Sequence, residues 1–231
     1  MVNTEASRTI VGIIGNVISF ALYISPIPTF IKIHKARAVE SFKPDPYVTA
    51  VLSCAMWCFY GMPFVHPDSL LVITINGFGF IIEIIYITIF FFYSPWSKRR
   101  KIIIALVIET IFFVLVVVLS LKLFHTTKDR STIVGVLSII LNILMYASPL
   151  TVMGRVIRTK SVKYMPFFIS LAYFCNGVIW VIYAILKFDV FILVPNSCGA
   201  VLGLMQLILY ASYYKSTQWD PTLRELQLGN T

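Results

Sequence analysis

The order of apolar and polar residues divides the chain into seven long apolar stretches separated by short polar ones. They run over about 8–31, 46–65, 69–94, 101–124, 131–154, 164–187 and 190–214. Each is near or above the ~20 residues that a helix needs to cross bilayer hydrocarbon. The strict alternation of a membrane barrel is absent. The pattern therefore predicts an all-α integral membrane protein with seven transmembrane helices, short loops and no separate soluble domain. Residues Met1–Ala6 carry no basic leader or small-residue cleavage site, so the first stretch reads as a retained span.

Composition removes the soluble alternatives. Of the 231 residues, 58% are apolar and 13% charged, where a soluble domain carries roughly a quarter charged. A mean hydropathy of +0.86 cannot cover a globule with polar surface. Four cysteines are too few for a disulfide-stapled secreted chain, and 18 Phe with 12 Tyr exclude intrinsic disorder.

The formal charge of +9 would suggest a nucleic-acid partner in a soluble protein. Its distribution says otherwise. Lys32, Lys35, Arg37 and Lys43 follow stretch 1. Lys98, Arg99, Arg100 and Lys101 follow stretch 3, and Arg155, Arg158, Lys160 and Lys163 follow stretch 5. With Lys215 and Arg224 of the tail, 14 of the 19 basic residues fall on one side. Arg8, Lys122, Lys128, Arg130 and Lys187 fall on the other. The positive-inside rule puts the richer side in the cytosol, with the N-terminus non-cytosolic and the C-terminus cytosolic. The charge is thus a topology signal; lipid, not nucleic acid, is the expected surrounding partner.

A repeat fixes the architecture. Tyr23-Ile24-Ser25-Pro26 recurs as Tyr146-Ala147-Ser148-Pro149, an offset of 123. Ser41-Phe42-Lys43…Pro46 recurs as Ser161-Val162-Lys163…Pro166, Trp57…Tyr60 as Trp180…Tyr183, and Ile75-Asn76 as Pro195-Asn196. The unit is three helices, residues 8–94 and 131–214, and the stretch 101–124 joins them, leaving 215–231 as a cytosolic tail. An odd unit repeated directly would emerge inverted. The intervening helix turns the second unit over, so the two run parallel (3+1+3).

Several polar residues inside the stretches carry candidate chemistry. Asn76 and Asn196 are repeat equivalents, and an unbonded amide in hydrocarbon is costly. A carboxamide has two donors and two acceptors, so a facing pair suits the vicinal hydroxyls of a pyranose. Helix–helix hydrogen bonding explains intramembrane Asn equally well. Asn16, Asn142, Asn176 and Gln206 lack such a repeat partner and read as packing. Trp57 and Trp180, also equivalents, offer aromatic faces to a ring, and Cys58 would line the same pocket by its size. Trp96 and Trp219 read as interfacial anchors. Pro26, Pro46, Pro149 and Pro166 form two symmetric pairs, and a proline within a helix removes a backbone bond and bends the chain. Glu83 and Glu109 are the carboxylates deep in the stretches. Glu83 follows Asn76 by two helical turns on the same face, and a structural role is favoured over a proton relay.

Cys54, Cys58, Cys175 and Cys198 lie inside stretches and His34, His66 and His125 in loops, so no metal site is expected. No nucleotide-binding motif is present, and no cofactor is expected.

These motifs resemble the SWEET (MtN3/saliva) family of sugar transporters, in flavour the plant vacuolar-membrane subgroup. The resemblance rests on Ala21–Phe30, Trp57–Phe64, Thr74–Gly77, Met145–Leu150, Thr159–Phe168 and Val194–Asn196, and covers residues 8–215. Parallel repeats about an axis along the membrane normal are known for this family. The resemblance implies a bidirectional uniporter that is not an enzyme. It would move glucose-like monosaccharides or small disaccharides by alternating access, in the vacuolar membrane rather than the plasma membrane. It tips Asn76 and Asn196 toward sugar contact, gives the four prolines an inner-gate role and makes Tyr60 and Asp189 an outer gate. Asp189 as an ordinary loop charge is the plainer reading of that residue. A seven-helix receptor fits the span count but not the repeat. A related transporter for amino acids or a proton-coupled solute would need Pro-Gln where the chain has Pro26-Ile27 and Pro149-Leu150. Gly199 and Gly203 permit tight packing within or between protomers, so a homo-oligomer is compatible.

The charge asymmetry makes one direct prediction. A cysteine introduced in the Ser97–Lys101 loop should react with an impermeant thiol reagent only from the cytosol. Labelling from the other side overturns both the orientation and the parallel repeat.

Overall fold

In hydrocarbon a backbone N–H or C=O has no water to bond, so a spanning segment must satisfy its own backbone. The computed structural model describes residues 4–40 and 42–219; within them all regular structure is helical. Ser41 of the repeated motif and residues 220–231 of the expected tail, Arg224 included, lie outside the described residues.

Stretch 1 is two helices, α1 (Thr4–Ile24) and α2 (Ile27–Ala36). Then come α3 (Asp45–Tyr60), α4 (Leu70–Tyr93) and α5 (Trp96–Leu123). Stretch 5 is again divided, into α6 (Thr127–Met145) and α7 (Ala147–Thr159), followed by α8 (Phe167–Leu186) and α9 (Val190–Tyr213). Counting each divided stretch once, six are long and apolar enough to cross a membrane. The seventh, α3, has 16 residues, about 24 Å of rise. The expected stretch to residue 65 stops being helical at Tyr60, and turns built on Gly61 and Pro63 complete it. Most of α3 is buried in protein, so it is the helix least dependent on lipid.

The repeat is visible in how the divided helices break. Pro26 has no N–H for the Leu22 carbonyl, which instead accepts from Ser25 N at 3.2 Å and Ser25 Oγ at 2.8 Å. Tyr86 Oη donates to the neighbouring Tyr23 carbonyl at 2.8 Å. In the second repeat the break falls at Tyr146, and Pro149 sits in the first turn of α7. Pro46 and Pro166 differ from the expectation: they stand at the starts of α3 and α8, where a proline removes no helical hydrogen bond. Arg37 and Lys160, equivalent residues after α2 and α7, both end their helices in the left-handed region, with φ of 53° and 51°.

The helices form a ring. Within each repeat the third helix packs between the other two: α4 between α1 and α3, and α9 between α6 and α8. The repeats then meet along two equivalent seams, α1 against α8 and α3 against α6. Helix α5 lies outside the ring against α3, α4 and α6. The arrangement is the parallel 3+1+3 fold.

The tightest packing is α8 on α9, and it depends on glycine. A Cβ at Gly177 would stand 2.6 Å from the Ala200 backbone N, and one at Gly203 would stand 2.8 Å from Phe174 Cα. Gly203 thus serves contact within the chain. Gly177→Leu should destabilise the protein by about 1–3 kcal/mol, the usual cost of overpacking, read as a lowered melting temperature. Gly154→Ala, inside α7 with nothing within 4 Å of the added carbon, should not lower the melting temperature and should raise it slightly, because alanine favours the helix over glycine. Equal shifts in the two variants would refute this account of the α8–α9 contact.

Candidate functional site

The ring encloses a cavity of about 570 Å³. Both seams contribute polar pairs to its wall. On the α1–α8 seam, Trp180 Nε1 donates to Ser19 Oγ at 3.1 Å, and Ser19 Oγ donates to Asn176 Oδ1 at 2.5 Å. On the α3–α6 seam, Ser53 Oγ donates to Asn142 Oδ1 at 3.1 Å. The repeat offset of 123 maps Ser19 onto Asn142 and Ser53 onto Asn176. Each seam therefore holds one Ser–Asn pair with the residue types exchanged. Asn142 and Asn176, which have no amide at the equivalent position and read as packing, line the cavity and bond across the repeats. Gln206 lines it as well.

Asn76 and Asn196 face this cavity from α4 and α9. Asn76 Nδ2 donates to the Val72 carbonyl at 2.9 Å, and Asn196 Nδ2 to the Ile192 carbonyl at 2.8 Å. Each amide is tethered one turn back on its own helix and bonds no other helix among the described residues. Its oxygen and second N–H remain for a ligand. Trp57 and Trp180 also line the cavity, buried, each edge-on to the tyrosine one turn later, Tyr60 and Tyr183. Cys58 departs from the expectation. It points away from the cavity, with its Sγ donating to the Ile73 carbonyl at 3.7 Å, and Cys54 one turn earlier lines the wall instead. Glu83, on the Asn76 face of α4, is also among the lining residues.

The two ends of the ring differ. At the end away from the basic loops the repeats are tied together. Tyr60 Oη donates to both oxygens of Asp189, at 2.9 and 3.0 Å. Asp189 Oδ1 also caps α9, accepting from Phe191 N and Ile192 N. His66 stacks on Tyr60, and its Nε2 stands 3.6 Å from Asp189 Oδ2. Burial pulls the His66 imidazole below its ordinary value, against the attraction of Asp189. Arg8 lies 4.1 Å over the Tyr183 ring and donates to the Asp68 carbonyl. Lys187 bonds the Asp68 carboxylate and holds it below the usual range. Arg130 reaches the Phe64 carbonyl across the other seam.

At the basic end, Pro26, Pro46, Pro149 and Pro166 all line the cavity. No side-chain hydrogen bond joins the two repeats there among the described residues. The cavity is closed at one end and opens toward the other. Among the described residues no group of His, Cys, Asp and Glu forms a metal site.

The profile of a family described as a sugar efflux transporter for intercellular exchange matches residues 9–99 and 132–218, once on each repeat. The chain belongs to the MtN3/saliva, or SWEET, family. Among SWEET relatives, the bidirectional sugar transporter SWEET5 of Arabidopsis thaliana is 60% identical over 220 residues, covering 95% of this chain and 92% of that protein. SWEET4 of the same plant is 57% identical over 220 residues, covering 95% and 88%. SWEET7b of Oryza sativa subsp. indica is 49% identical over 217 residues, covering 94% and 82%. The 3.7 Å structure of a eukaryotic SWEET transporter superposes with a TM-score of 0.88 at 41% identity, covering 92% of this chain and 99% of that one. The chain is a multi-pass membrane protein of a transporter family, not an enzyme.

The closed end yields a prediction. Tyr60→Phe removes a hydrogen bond to a carboxylate, about 1.5–3 kcal/mol, and so should raise the open fraction of that end at least about tenfold. Val65 is fully buried in the apolar cluster that also holds Tyr60. A cysteine at position 65, with the native cysteines replaced, should react faster with an impermeant thiol reagent when Tyr60→Phe is added. An unchanged rate would show that the Tyr60–Asp189 bond does not hold the end shut.

Proposed function

We propose that this chain is a bidirectional sugar uniporter that carries glucose-like monosaccharides or small disaccharides down their gradient. The observation that carries the reading is the Asn76–Asn196 pair. One amide comes from each repeat, each is fixed by its own helix, and both face one cavity with hydrogen-bonding capacity to spare. Such a pair complements a neutral polyol. Trp57 and Trp180 supply apolar faces for the ring C–H groups.

Transport would proceed by alternating access between the two repeats. Residues 8–94 and 131–214 would act as the moving units, 101–124 as the joint and 215–231 as a cytosolic tail. The Tyr60–Asp189 latch would open as the basic end narrows. Pro26 and Pro149 suit hinges, because each stands at or within one turn of a break in its span. Pro46 and Pro166 would act differently, as stiff helix starts at the mouth of the cavity. The basic end would face the cytosol, with the N-terminus on the other side. The vacuolar membrane, on the resemblance of the motifs, and the plasma membrane are the two candidate locations, and a fluorescent fusion separates them. Lipid surrounds the outer helix faces, and a homo-oligomer would be read by mass photometry in detergent.

Counterflow of labelled glucose into proteoliposomes tests the reading. The wild-type chain should exchange glucose without ATP and should not accumulate it on an imposed pH gradient. Asn76→Ala or Asn196→Ala leaves sugar hydroxyls dehydrated and unpaired, at about 1–3 kcal/mol per group. Flux should fall by about 5- to 150-fold while folded protein still reaches the membrane. Near-normal flux in both variants would remove the amides from the pathway.

A further inference from the structure

The cavity continues past the two amides toward the basic end. Glu83 follows Asn76 by seven residues on α4, about 10 Å of helical rise, and lines the same space. It is 6% exposed, and its Oε2 has no hydrogen-bond partner among the described residues. A carboxyl group so deeply buried is costly unless something bonds it. Seven residues after Asn196 the second repeat carries Gly203, so the carboxyl is not a duplicated element of the fold.

What surrounds Glu83 is equally uncommitted. Tyr47 of α3 and Tyr173 of α8 line the same cavity, and the Tyr47 ring stands edge-on to Tyr86, one turn after Glu83 on α4. Neither hydroxyl has a hydrogen-bond partner among the described residues. Gln206 of α9, buried and lining the cavity, likewise has none. Tyr23 and Tyr86 nearby are already engaged, with Cys54 Sγ and the Tyr23 carbonyl respectively. Four groups from four helices, two in each repeat, thus present a carboxyl, two phenols and an amide to one space. A carboxylate accepts from vicinal hydroxyls, phenols and amides both donate and accept, and the tyrosine rings offer apolar faces.

We propose that Glu83, with Tyr47, Tyr173 and Gln206, forms a second sugar-binding station, which takes a pyranose as it moves between the Asn76–Asn196 pair and the basic end. The proposal rests on the sugar reading above. In the conformation observed, the station is reached from the basic end. A sugar arriving from the opposite side meets the amides first. The station therefore sets the half-saturation for export from the basic side far more than that for import.

Zero-trans efflux and influx of labelled glucose in oocytes, over a range of glucose concentrations, test this. Glu83→Leu should raise the efflux half-saturation about tenfold, as expected for losing two ordinary hydrogen bonds. Glu83→Gln keeps one acceptor oxygen and replaces the other with an NH2 donor, and should raise it by about threefold. Tyr173→Phe removes one hydroxyl and should also raise it by about threefold. Influx half-saturation should stay within about twofold of wild type. Efflux values unchanged in all three variants would overturn the station, and so would equal changes in both directions. If Glu83→Leu fails to reach the membrane, Glu83→Gln and Tyr173→Phe decide by the same criterion. A wild-type chain that moves no glucose would refute the sugar reading itself, a distinct result.

Discussion

A polar side chain inside hydrocarbon finds its partner in the protein or in whatever the protein encloses. That constraint orders this molecule. The Ser19–Asn176 and Ser53–Asn142 pairs pull polarity onto the two seams between repeats. At α8–α9 the glycines meet backbone, whereas on the α1–α8 seam Gly12 and Gly15 meet the side chains of Tyr183 and Trp180, which can shift when partners are exchanged. The remaining polar capacity, on Asn76 and Asn196, turns inward because lipid offers nothing to bond. A cavity lined in this way suits hydroxyl-rich ligands as a consequence of the same rule.

The ends of the ring are unequal in kind. The closed end concentrates charge: Asp189 with Tyr60 and His66, Asp68 with Lys187, Arg8 over Tyr183. The basic end carries more charge in total but directs it to loops within each repeat, as when Lys98 bonds the Glu40 carbonyl and Arg99 the Ser94 carbonyl. Ties across the repeats resist separation, whereas ties within a repeat do not. The conformation closed at one end and open at the other follows from where those bonds fall. Only one of the two equivalent tyrosines has a carboxylate: Tyr60 meets Asp189, while Tyr183 meets a guanidinium. The Tyr60–Asp189 bond therefore has no repeat-equivalent counterpart among the described residues, and it stands beside the Lys187–Asp68 and Arg8 ties at the same end.

Fold class, span count and the parallel repeat were legible because hydropathy and short recurring motifs report them directly. The Asn pair was legible for the same reason, since repeat equivalence singled out Asn76 and Asn196. Asn142 and Asn176 escaped because each is equivalent to a serine rather than to another amide; aligning Ser19 with Asn142 and Ser53 with Asn176 across the offset would have exposed them. Cys58 was assigned to the pocket by adjacency to Trp57, but successive residues on a helix point about 100° apart, and Cys54 shares the cavity-facing side. The helix-interior role for Pro46 and Pro166 failed on element boundaries: α3 begins at Asp45 and α8 at Phe167, so both prolines precede or open a helix. The shortness of α3 was hidden by the apolar turn residues that follow Tyr60.

The central claim is that a single sugar bridges the two repeats through Asn76 and Asn196. A structure determined with glucose present tests it most directly. The account predicts a pyranose within hydrogen-bond distance of both amides, flanked by Trp57 and Trp180. Sugar density held by one repeat alone, or found outside the ring while the protein still transports glucose, would contradict it.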